Sequence, residues 1–61
     1  MKIKRFDVVE LKDGNRATIL DIKDKQHYFV DIVNPYGITL DRTSISEEDI
    51  NKIIFTKEKV R

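Results

Sequence analysis

The chain has no cysteine and no tryptophan, and only one histidine, one proline and two glycines among 61 residues. Without cysteine there is no disulfide framework and no thiolate zinc centre, and a lone histidine excludes a multi-histidine metal site. No apolar run approaches the ~20 residues that cross a bilayer. The start, Met-Lys-Ile-Lys-Arg-Phe-Asp, lacks the apolar segment of a secretion signal. The expectation is a cytoplasmic chain without a membrane segment, folded as one domain over residues 1–61. That length lies close to the lower limit at which a core can form without a metal or a disulfide. No catalytic motif is present, and so small a domain has no volume for a water-excluding cleft, so neither an enzyme nor a cofactor is expected.

What is present is charge, and apolar residues in short groups. Charged residues make up 38% and hydrophobic residues 39%, a balance near the border with disorder, but the apolar residues are gathered rather than diluted. The net charge of +1 hides a division. Residues 1–5 and residues 52–61 each carry +3, whereas residues 6–51 hold ten acids against five bases.

Alternation predicts strands. Asp7 to Leu11 reads as the first, with Val9 and Leu11 inward, and Asp13-Gly14 supplies the positive φ angles of a tight turn. Ala17 to Ile22 reads as the second. There Ile19, Leu20 and Ile22 do not keep one parity, which predicts a bulge. After a polar loop, Lys23-Asp24-Lys25-Gln26, a third strand runs from His27 to Val33. Tyr28, Val30 and Ile32 point inward, and His27, Phe29 and Asp31 outward. Asn34-Pro35-Tyr36-Gly37 matches a type I turn, and Ile38 and Leu40 alternate with Thr39 and Asp41 in a fourth strand. Ser46 opens a short helical or 3-10 turn over Glu47, Glu48 and Asp49, before a last strand at Ile53-Ile54-Phe55. The basic ends, about residues 1–4 and 57–61, are expected to fray. The competing reading is a helix over residues 46–59, because Ile50, Ile53 and Ile54 fall at helical spacing. It gives a four-stranded sheet with a C-terminal helix.

Four hairpin-ordered strands, a helical turn and a short fifth strand resemble the all-β, five-stranded SH3-like barrel, and residues 6–54 cover nearly all of it. The motifs are also similar to those of a group of uncharacterised bacterial proteins of about this length. The matching segments are Val9 to Gly14, Ala17 to Leu20, Tyr28 to Ile32, Gly37, and Thr43-Ser44-Ile45-Ser46-Glu47-Glu48-Asp49-Ile50. That resemblance implies the fold and no activity. The first hairpin resembles the KOW motif of ribosomal and transcription-elongation proteins as well, which implies contact with RNA or protein. The KOW pattern keeps a glycine just before the second strand, and this chain has Ala17 there, whose methyl group disfavours a positive φ.

Two groups are candidate sites. His27 and Phe29 on the outer face of the third strand, with Tyr36 at the following turn, are expected to form an aromatic protein-contact surface. The bland alternative is a solvated histidine and two aromatics that cover their own strand and turn. Lys2, Lys4, Arg5, Lys57, Lys59 and Arg61 come together if the first and last strands pair, giving a basic patch for phosphates. Here the alternative is solvated tails that aid solubility. Consecutive Glu47, Glu48 and Asp49 lack the spaced ligands of a calcium loop, so no metal site is assigned. The sequence thus points to a small non-enzymatic binding module contacting another protein, in a regulatory or inhibitory role. Nucleic-acid binding through the basic termini is the alternative. An unpaired strand edge makes a monomer or a weak homodimer the expected state.

Overall fold

A computed structural model describes residues 2–56. Five strands, β1 (Val8–Leu11), β2 (Arg16–Asp24), β3 (His27–Val33), β4 (Thr39–Ser46) and β5 (Ile50–Phe55), form one antiparallel sheet in the order β4-β3-β2-β1-β5. The last strand returns beside the first, as the SH3-like barrel order requires. A 3-10 turn at Glu47–Asp49 joins β4 to β5, the two edges of the sheet. The C-terminal helix is overturned over residues 50–55. They are a strand in register with β1, with Ile53 opposite Val9 and Ile50 opposite Leu11, as suits their β-branched and aromatic side chains. Among the described residues no helix is long and apolar enough to cross a membrane.

Two hairpins share one loop design. In the first, Gly14 N–H donates to the Leu11 carbonyl at 3.0 Å and Leu11 N–H to the Asn15 carbonyl at 2.8 Å. In the second, Gly37 N–H donates to Asn34 at 3.0 Å and Asn34 N–H to Ile38 at 2.9 Å. Each loop sets its glycine in the left-handed region, at φ 94° for Gly14 and 89° for Gly37. The expectation of two positive φ angles at Asp13-Gly14 is therefore corrected: only Gly14 is left-handed. The Asp13 carboxylate instead accepts the Asn15 N–H at 2.9 Å, a side-chain bond that holds the loop without left-handed backbone at Asp13.

The parity break in β2 produces the expected irregularity, a register shift between Ile19 and Asp21; a second shift, between Ile22 and Asp24, falls where the sequence predicts a loop, because β2 runs on to Asp24. These let one strand bend around a small core. Val9, Ala17, Ile19 and Val30 are fully buried there, joined by Leu11, Tyr28, Ile50 and Ile3. Ile3 lies in a stretch expected to fray, and it is in the core instead. Ala17, opposite Val9 and Ile32, is an ordinary strand residue without positive φ.

The segment that brings Ile3 inward turns tightly. Asp7 N–H donates to the Lys4 carbonyl at 3.2 Å and Phe6 N–H to the Ile19 carbonyl at 2.7 Å. Phe6 takes φ 71°, the only non-glycine residue in the left-handed region among the described residues. Asp7 is buried, and its carboxylate accepts the Lys4 N–H and the Thr56 hydroxyl, both at 3.0 Å. One side chain therefore holds the beginning and the end of the fold together.

Candidate functional site

The barrel leaves one hairpin outside its core. On the inner face of the sheet, Tyr28 and Val30 are buried and Ile32 is half-buried, but the next residue across on β4, Asp41, is exposed. From Thr39 to Arg42 every residue of β4 is exposed, on both faces. The far end of the β3–β4 hairpin is thus an arm that projects past the packed interior. Three large apolar side chains lie on it, with Tyr36 86%, Ile38 60% and Leu40 53% exposed.

The arm is held by polar contacts rather than by packing. Asn34 Oδ1 accepts the N–H groups of Tyr36 and Ile38, at 2.9 and 3.0 Å, and fixes the loop. Arg42 reaches across to Asp31, with Nε at 2.7 Å from Oδ1 and Nη2 at 3.3 Å from Oδ2. Hydrogen bonding to Asp31 holds the Arg42 guanidinium above its ordinary pKa. A two-point pair orients the outer face of the arm more firmly than a single contact does.

The other expected contact residues lie elsewhere. His27 is exposed at the opposite end of β3, with Nδ1 at 2.9 and 3.1 Å from the two oxygens of Asp24. The Asp24 carboxyl is held below its ordinary value, first by the Gln26 N–H and then by His27. Phe29 is on the outer face as expected, but half-buried, opposite Asp21 on β2 and Ser44 on β4. Lys23 Nζ donates to Ser44 Oγ at 3.1 Å, so its stem spans from β2 to β4 across β3 at the level of Phe29. The six steps from His27 to Val33 cover about 20 Å, and Tyr36 lies beyond them. His27, Phe29 and Tyr36 are therefore spread along the hairpin and do not form one cluster.

Of the basic residues, Lys2, Lys4 and Arg5 are exposed; the Lys4 N–H is bound by Asp7, which also binds Thr56, whereas Lys2 borders a depression with Ile22, Asp24 and Glu47. Arg5 is engaged with Asp21, Nη2 to Oδ1 at 3.1 Å. Lys57, Lys59 and Arg61 lie outside the described residues. Among the acids at Glu47–Asp49, Asp49 has a local role: its Oδ2 accepts the Ser46 N–H at 3.0 Å and closes the 3-10 turn. His27 also borders an open depression of about 410 Å³ with Lys12, Glu47 and Glu48, whose mixed charges favour no single ligand.

Sequence reasoning singled out Tyr36 and missed Ile38 and Leu40. Their alternation with Thr39 and Asp41 has the period of a half-buried strand, so it carries no sign that the core ends short of them. Compared with family models, with curated proteins and with solved structures, the chain matches none.

Proposed function

We propose that this protein is a non-enzymatic binding module that contacts another protein through the projecting β3–β4 arm. The observation that carries this reading is the exposure of Tyr36, Ile38 and Leu40 together on a hairpin end that adds nothing to the core. Scattered exposed apolar residues are normal on a small domain, whereas three on one projecting element mark a contact surface. Tyr36 is of the aromatic type that protein interfaces favour. The original trio contributes Tyr36 to this surface. His27 and Phe29 stay outside it.

The test is site-specific photo-crosslinking in cells, with the reactive side chain at position 36 or 38 and a control at exposed Lys12. The reading expects adducts of defined mass from the arm positions and none from the control. Equal labelling at all three positions, or no adduct from the arm, overturns it.

One observation favours nucleic acid as a second reading. Lys2, Lys4 and Arg5 are exposed on one short segment, and Asp7, which binds the Lys4 N–H, also binds Thr56 just after β5. Binding of that kind weakens steeply with salt, and a Lys2→Glu/Lys4→Glu variant loses it. A salt-independent result, or no binding at low salt, removes this reading.

A further inference from the structure

We propose that Asp13 is a site of spontaneous covalent modification, isomerisation of its peptide link to the β-carboxyl form, and that the hydrogen bonds of the first hairpin loop hold the reaction back. The inference stands apart from the arm and rests on the loop alone.

Sequence sets the chemistry. An aspartic acid side chain closes a five-membered imide ring when the nitrogen of the next residue bonds to its Cγ. The carboxyl hydroxyl then leaves with the amide proton as water. A second water reopens the ring at either carbonyl. Opening at the side-chain carbonyl restores Asp13, whereas opening at the main-chain carbonyl leaves the chain running through Cβ and Cγ, with a free α-carboxylate. A side chain on the next residue crowds the attacking nitrogen, and Asp13 is the only acid or amide of the chain followed by glycine. The counterpart loop cannot react in this way. There Asn34 precedes Pro35, whose nitrogen carries no proton to lose.

Structure sets the rate. Asp13 and Gly14 are exposed, and a Cβ at Gly14 would meet no atom within 4 Å, so water reaches both residues. Both reacting groups are nonetheless engaged. The Gly14 N–H donates to the Leu11 carbonyl at 3.0 Å, and the Asp13 carboxylate accepts the Asn15 N–H at 2.9 Å. Ring closure requires the Gly14 nitrogen to give up its proton and turn onto Cγ, which breaks both bonds. The loop must open first, so the native rate is the open-chain rate multiplied by the fraction of time the loop is open. The Lys12 N–H, donating to the Asp49 carbonyl at 3.0 Å, ties the same loop to the 3-10 turn and lowers that fraction further.

The lesion falls on the hairpin itself. One additional main-chain atom between Asp13 and Gly14 displaces the Gly14 N–H from Leu11 and removes the carboxylate that holds Asn15. Leu11 ends β1 and is buried in the core. The modified chain is therefore less stable than its parent.

The test holds the full chain at neutral pH in buffer and, in parallel, in urea that unfolds it. The product is read by methyl transfer to the freed α-carboxylate with a purified isoaspartyl methyltransferase. Its position is read from the tryptic peptide 13–16, which keeps its mass and shifts its retention. The expected result is product at residue 13 in urea, formed about tenfold or more faster than in buffer. Asp13→Ser gives none in either, and the modified chain, returned to buffer, unfolds at lower urea than the parent. Equal rates in buffer and urea, no product at residue 13 in urea, or a modified chain as stable as the parent overturns the inference.

Discussion

The Asp7 carboxylate accepts the hydroxyl proton of Thr56 at 3.0 Å, across 49 positions of sequence, and its second oxygen takes the backbone N–H of Lys4. A buried carboxylate that loses such partners, or is itself removed, leaves polar groups unsatisfied. Asp7→Ala is expected to cost about 2–3 kcal/mol in urea denaturation, a large share of what a domain this small possesses. Thr56→Val removes one bond and is expected to cost about 1 kcal/mol. Equal costs for the two would contradict a bridging role for Asp7.

Phe6 holds a left-handed backbone at φ 71° with half of its surface exposed. Glycine there relieves the strain and alanine keeps it, while both remove the ring. Phe6→Gly is therefore expected to be more stable than Phe6→Ala by about 1 kcal/mol, the reverse of their order in a regular strand. Chemical denaturation of the two variants side by side measures it.

Both ends of the pH range have a stated direction. Burial, with smaller contributions from Glu47 and Asp24, pushes the Tyr28 phenol above its ordinary value of 10.0. The unfolded chain then loses that proton before the folded one does, so the Tyr28 contribution to stability falls as pH rises above 10.0. At the acid end, hydrogen bonding from Arg5 and then from the Ile22 N–H lowers the Asp21 carboxyl below 3.8. Its contribution is present above that value and lost as pH falls through the lowered one. Denaturation curves of Tyr28→Phe and Asp21→Asn against the parent, across both windows, read these slopes. Tyr28→Phe is expected to flatten the alkaline fall and Asp21→Asn the acid one.

Much of the fold was legible because period-two alternation and turn chemistry are local signals. Val9 and Leu11 point inward, β3 spans His27–Val33, and the first of the two register shifts in β2 falls at the parity break around Leu20. The closing elements depend on contacts distant in sequence. Nothing near Ile3 or Asp7 reveals that one enters the core and the other binds residue 56. The arm was half legible for the same reason. Tyr36 stands out beside a Pro and a Gly, but the exposure of Ile38 and Leu40 follows from tertiary packing, which no window around residue 40 contains.

The central claim, that the β3–β4 arm is the surface on which another protein docks, is tested most directly by photo-crosslinking in cells from position 38 compared with position 12. The account predicts adducts of defined mass from position 38 and none from position 12. No adduct from position 38, or equal labelling at both positions, would contradict it.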